Sequence, residues 1–252
     1  IKNLAGHRGD DAAVEVIATF LPGVVVDSLL AVLEQAGLKI HTLTLEPMAA
    51  LEVALTEGMR GLNLALVDVG AGTSDIALSR GGTIFAYAMV PRAGDEVTEA
   101  LCEACLLDFG EGEKIKRALG LRKTVEAKDV LGRKKAVDTA EAVRTLEPVV
   151  EDMAQEIAAT ILELNGKAPD GVVMVGGGSL TPRMPEKLAW ALGLDERRIG
   201  IVGREGLAGV KGQARRLSGP EAVTPIGIGV WGLEHPPFTL SLIHISEPTR
   251  PY

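Results

Sequence analysis

Apolar residues fall along this chain in two kinds of run, and the kind changes at glycines and prolines. Leu62 to Val69 (Leu-Asn-Leu-Ala-Leu-Val-Asp-Val) is dense enough in apolar residues to predict a buried strand. Ile76–Ser79 and Ile84–Val90 flank Arg80-Gly81-Gly82-Thr83, which predicts two paired strands joined by a two-glycine turn. Val172–Val175 and Ile199–Val202 are shorter strand-like runs, and Val14–Ala18 and Lys39–Leu45 read as strands ahead of the main block. Helical spacing appears first at Leu29, Leu30, Leu33 and Ala36, on a helix capped by Asp27 or Ser28 and stopped by Gly37. Pro47 then opens a helix that runs to about Glu57. Further helices are expected over Glu96–Asp108, Glu113–Leu119, Thr139–Leu164 in spite of Pro148, from Pro182 or Pro185 onward, and over Glu221–Leu233. The lysine- and arginine-rich stretch 121–137 predicts a small exposed hairpin insert, and Gly203–Gly219 a polar loop. A βαβα lead-in followed by an antiparallel hairpin predicts an α/β fold with a mixed sheet and flanking helices.

With 252 residues, 46% of them hydrophobic, the chain can bury a large core. Its net charge of −8 excludes a general nucleic-acid binder, which needs a basic face, but leaves room for a site with a few local cations. No apolar stretch reaches the length of about 18 residues that a membrane-spanning helix requires, and no signal peptide opens the chain. Two cysteines make no disulfide scaffold, so a cytoplasmic setting is expected.

The candidate chemistry sits where the buried strand ends, in Asp68-Val69-Gly70-Ala71-Gly72-Thr73-Ser74-Asp75. A glycine loop at a hairpin bend can turn successive backbone N–H groups toward an anion. Gly70, Ala71, Gly72 and Thr73 are therefore candidates to line phosphates, and Asp68 offers a hard oxygen for Mg²⁺ through water. The duller alternative is a tight turn with a capping aspartate. Asp75 is expected to accept from the loop's own amides. Glu46, just before the Pro-started helix, is a candidate to orient an attacking water, or simply an N-cap. Gly176-Gly177-Gly178-Ser179 follows a buried strand and precedes a helix, where three glycines let an anionic ligand lie against the backbone. Glu113, Lys116 and Arg117 share one helix face, which by itself is also what a solvated charged surface looks like. Cys102 and Cys105 are only half of a structural zinc site and read as helix packing, and His7, His41, His235 and His244 are scattered.

The octapeptide resembles the second phosphate motif, D-x-G-x-G-T-x-D, of the actin, sugar-kinase and DnaK-type chaperone superfamily. Leu45-Glu46-Pro47-Met48-Ala49-Ala50 before it and Val90-Pro91-Arg92-Ala93-Gly94-Asp95-Glu96-Val97-Thr98 after it narrow the resemblance to the bacterial cell-division protein FtsA and its relatives, over roughly residues 14 to 233. The resemblance implies an actin-like (ribonuclease H-like) ATPase fold that holds ATP and Mg²⁺ between two lobes. It makes Glu46 part of the first connecting motif, and Glu113, Lys116 and Arg117 an embrace for adenine and ribose. Gly176 to Ser179 become the adenosine motif, with Arg183 placed to stack on a base, and Gly227 and Gly229 the second connecting motif. It also implies self-association, a partner such as FtsZ, and a peripheral place at the inner face of the cell membrane, although nothing before residue 241 looks like an amphipathic anchor.

Residues 1–58 are expected to be a remnant of the first lobe and 59–235 most of the second, with 121–137 as a small insert. The last twelve residues, Ser241 to Tyr252, resemble a translated sequencing adapter, so 236–252 is set aside as a non-native or disordered tail. The first lobe's own D-x-G does not precede residue 60, so the chain is expected to be a piece that does not hydrolyse ATP by itself, whereas the whole protein would be a slow Mg²⁺-dependent ATPase. A DnaK-type chaperone or activator ATPase, and a pilus-assembly-like scaffold that binds nucleotide without hydrolysis, are the alternatives.

Overall fold

The computed structural model describes residues 20–59, 61–207, 210 and 217–234. The expected strand Val14–Ala18, the tail from residue 236, and His7, His235 and His244 lie outside them. Two compact units divide between Ile40 and His41. The first contains helix α1 (Gly23–Gln35), which begins before the expected caps: Pro22 stands at the N-cap and Asp27 and Ser28 lie inside. Its end is as expected, with Gly37 in the left-handed region at φ 71°. Residues 38–45 form no strand, and none of the described strands pairs with them.

The second unit is built on strand β1 (Leu64–Val69), every residue of which is buried. It pairs antiparallel with β2 (Ser74–Arg80), which pairs antiparallel with β3 (Thr83–Val90). On its other side β1 pairs parallel with β6 (Gly171–Val175), and β6 pairs parallel with β7 (Ile199–Ile201). The order β3-β2-β1-β6-β7 is a mixed sheet with β1 at its centre. The intervening β4 (Thr124–Lys128) and β5 (Lys134–Asp138) form a separate two-stranded ribbon within the expected insert.

Alternation along β1 divides the core. Ala65, Val67 and Val69 face a cluster built with α3 (Gly94–Cys105), α4 (Phe109–Lys116), α5 (Thr139–Asn165) and α6 (Met184–Leu192). Leu64 and Leu66 face a second cluster with α2 (Glu46–Ala54) and α7 (Val223–Glu234). Because strand side chains alternate with period two, Asp68 belongs to the α2–α7 side, as do Asp75 opposite it and Val175 beside it. Helix α2, grouped by sequence with the first lobe, packs directly on α7 and lies in the same unit as the sheet.

Helix α4 starts at Phe109 rather than Glu113, because the Asp108 side chain accepts the Glu111 amide at 2.8 Å and caps it. Asp138 caps α5 the same way through the Glu141 amide at 2.9 Å. Helix α3 likewise begins early, at Gly94, with the Glu96 carboxylate reaching back to the Ala93 amide at 2.7 Å. No described helix is long and apolar enough to cross a membrane.

Candidate functional site

Parallel pairing of β1 with β6 brings the loops after both strands to the same end of the sheet, outside the strands' carboxyl ends where α/β sheets bind ligands. The loop after β1 is a hairpin bend in which the Gly70 amide donates to the Thr73 carbonyl at 3.0 Å. Its carbonyls turn inward: Gly70 accepts from the Gly94 amide at 3.1 Å and Ala71 from the Asp95 amide at 2.7 Å. The first turn of α3 thus spends its free amides on the loop. Among the described residues, the amides of Ala71, Gly72 and Thr73 donate to no acceptor, and all three residues are exposed. Three adjacent N–H groups are thus left to solvent, and such groups are available as donors to an anion.

Beside them Asp68 is buried, at 9% exposure, and Oδ2 accepts from the Thr224 hydroxyl on α7. Burial raises its pKa, and the Thr224 hydrogen bond works against that rise. Asp75 also sits above the ordinary carboxylate range, through burial and then the charges of Glu46 and Asp68. Glu46, in the first turn of α2, is therefore close enough for its charge to be felt, and it also raises Tyr87 together with burial and Asp75. Asp75 is reached by the Thr73 hydroxyl at 3.5 Å and, contrary to expectation, by none of the loop amides.

The triglycine after β6 is required by close approach to β1. Gly176 has φ 80°, and a Cβ there would collide with Asp68 Oδ1 and the Val69 carbonyl. A Cβ on Gly178 would strike the Val69 side chain and lie 3.0 Å from the Gly70 carbonyl. Gly177 is exposed, with its nearest neighbour, Glu221 Cβ, at 3.8 Å. Ser179 is fully buried, and its hydroxyl donates to the Gly176 carbonyl at 2.7 Å, closing the turn. The chain then makes a short 3₁₀ turn over Gly177–Leu180, and α6 starts only at Met184. Arg183 caps that helix in a left-handed conformation and is tied to Glu147 at 2.9 Å and Glu186 at 2.7 Å, so it braces α6 against α5.

The charged trio on α4 joins the site through Gly94. Lys116 Nζ donates to the Gly94 carbonyl at 2.9 Å, and the Gly94 amide holds the loop at Gly70. Burial works against ionised Glu113, but hydrogen bonds from Lys116, Arg117 and Thr98 outweigh it and lower its pKa to about 2. Arg117 keeps 77% of its side chain exposed and lines an open groove of about 630 Å³ with Lys114, Leu121 and Arg122. Since Glu113 is held well below its ordinary value of 4.5, its stabilising effect is complete above that value and is lost as pH falls toward 2. Glu113→Gln is expected to lower stability by about 1 kcal/mol at neutral pH. Denaturant curves of the two proteins should converge as the pH approaches 2.

Cys102 and Cys105 are free and half-buried, Cys102 donates to the Asp108 carbonyl at 3.2 Å, and no cluster of metal ligands occurs among the described residues. Of the last-helix glycines, Gly227 packs against the Ala49 backbone of α2, whereas Gly229 has open space around it. Thr224 was not legible as a site residue; a threonine before Pro225 gives no local sign that it meets a strand 156 residues away.

The family model for "Cell division protein FtsA" matches residues 65–227, from the second residue of β1 to Gly227. The chain belongs to the FtsA family. FtsA of Pseudomonas aeruginosa is 30% identical over 212 residues, covering 79% of this chain and 49% of that protein. FtsA of Bacillus subtilis is 27% identical over 180 residues, covering 67% of this chain and 41% of that protein. The chain thus spans about half the length of these FtsA relatives. Among solved structures, a PilM–PilN type IV pilus biogenesis complex matches with a TM-score of 0.65 at 23% identity, over 83% of this chain and 58% of that one. MreB5 of Spiroplasma citri bound to ADP matches with a TM-score of 0.61 at 16% identity, over 84% of this chain and 65% of that one. The fold is that of the actin-like ATPases, and the FtsA match favours the cell-division reading over the chaperone alternative.

Proposed function

We propose that this chain carries one wall of a Mg²⁺-dependent ATP/ADP site in an FtsA-type cell-division protein, and that the bound nucleotide sets self-assembly or partner binding. The observation that carries the reading is the set of three adjacent amides at Ala71, Gly72 and Thr73, exposed and without a partner among the described residues, next to the buried Asp68 carboxylate. Mg²⁺ keeps several waters and takes one or two carboxylates plus phosphate oxygens, so a single aspartate with an anion cradle suits it, and a cluster of protein ligands is not required.

In this reading the Ala71, Gly72 and Thr73 amides hold the phosphates and Asp68 holds a metal-bound water. Glu46 orients water at the open end of the carboxylate group, and Arg117 reaches the nucleoside from α4. When bound, MgATP supplies a polarised terminal phosphate bond whose loss changes what the loop amides hold. Family membership supports an FtsZ-like partner, self-association and a peripheral position at the inner face of the membrane as the setting of this switch. The test is thermal unfolding of the chain with MgATP, MgADP and EDTA. Ligand at about 100 times its dissociation constant contributes roughly 2.7 kcal/mol. That corresponds to a rise of about 5–10 °C for a unit of this size. No rise with either nucleotide would remove the ATP-binding reading.

A further inference from the structure

We infer that Thr224 is the positioning residue of this site: it fixes the Asp68 carboxylate so that Oδ2 is spent on the protein and Oδ1 is presented toward the triglycine loop. The inference rests on the nucleotide reading above and adds a residue and a mechanical linkage to it. An ionised aspartate can only accept, so the Thr224 hydroxyl must point its hydrogen at Oδ2. A threonine in a helix ordinarily returns its hydroxyl to a carbonyl one turn back, but here it crosses to β1 instead. Asp68 needs such a partner, because it is buried and Asp75 lies directly opposite it in the hairpin register. Without that donor, a buried aspartate opposite another aspartate is left with no hydrogen bond from α7 to hold its rotamer.

The same helix holds the second carboxylate. One turn after Thr224, Gly227 is buried, and a Cβ there would run into the Ala49 carbonyl of α2. The backbones of α7 and α2 therefore touch at this point, and α2 is the helix whose first turn carries Glu46. Thr224 and Gly227 together make α7 a bracket: one end sets the orientation of Asp68 and the next turn sets the position of Glu46.

The test is calorimetric titration of ATP into the chain, with Mg²⁺ and with EDTA, for the wild type, Thr224→Val, Thr224→Ala and Thr224→Ser, alongside their melting curves. The expected result is that Val and Ala each weaken MgATP binding about 10–100-fold, the range typical of groups that orient metal-site ligands. Binding in EDTA should stay unchanged, and Ser should restore the wild-type ratio. Val and Ala are independent probes, so one misfolded variant leaves the other decisive. If both retain the wild-type ratio of Mg²⁺ to EDTA affinity, or weaken both affinities equally, Thr224 is a packing residue and the inference is wrong. If the wild type itself binds no nucleotide, or binds it without regard to Mg²⁺, the underlying reading fails and the inference falls with it.

Discussion

Gly176→Ala is expected to destabilise the folded unit by about 2–5 kcal/mol. Two effects add. The residue sits at φ 80° and ψ 156°, a region open essentially to glycine alone, where a side chain costs about 1–3 kcal/mol. The new Cβ would also overlap Asp68 Oδ1 and the Val69 carbonyl, which are backbone and pinned carboxylate rather than the loose end of a flexible chain. Relief would require β6 to part from β1 just where Asp68 pairs with Val175. Urea or thermal unfolding measures the loss directly, and at about 2–4 °C per kcal/mol the melting point should fall by about 4–20 °C. Gly177→Ala is the matched control: it is exposed, has no positive φ and meets nothing closer than 3.8 Å, so it should change stability by less than about 0.5 kcal/mol. Equal losses at the two positions would show that the turn tolerates no side chain at all and that the approach of β6 to β1 is not the cause.

Which features were legible in the sequence and which were hidden depends on the range of the interactions concerned. Strands β1 to β3 and the turn between the last two are local patterns: a dense apolar run, then an apolar run interrupted by Gly81-Gly82, both with positive φ. The start of α4 was hidden by two glycines in its first turn. Gly112 is there because a Cβ would strike Cys102 and crowd Thr98 on α3, a tertiary demand that lowers helix propensity where the helix nevertheless forms. Lys39–Leu45 has the reverse history, with strand-like alternation and no strand, since period two produces a sheet only where a neighbour accepts its hydrogen bonds. At the candidate site, the closeness of Asp68 to its glycine loop was legible because the two are adjacent in sequence at the end of β1. The Thr224 contact was not, because it depends on how α7 lies across α2, and that is decided at Gly227 and Ala49. The triglycine was visible as a signal but its cause was divided: two of its members answer to β1, and only Gly177 is open to solvent.

Asp68→Asn should separate what the site contributes to binding from what it costs in stability. Asparagine keeps the shape and can still accept from Thr224, so the bracket through α7 should survive. It removes the charge that holds a metal-bound water, and the Mg²⁺-dependent part of ATP affinity should fall by roughly 10–100-fold, with binding in EDTA little changed. Stability should move the other way. Burial raises the folded-state pKa of Asp68 above its ordinary value of 3.8, so its contribution is fully favourable below that value and is lost as the pH rises through the folded pKa. At neutral pH the ionised carboxylate is thus a standing cost of burial, offset only in part by Thr224. The asparagine variant is expected to melt higher than the wild type at pH 7, and the difference should vanish as the pH is lowered past about 4. A carboxylate kept at a cost to the fold is what a binding site requires and a structural turn does not. If the variant instead melts lower at pH 7 and binds MgATP normally, Asp68 is a capping residue of the hairpin, and the nucleotide contacts must lie elsewhere on this face.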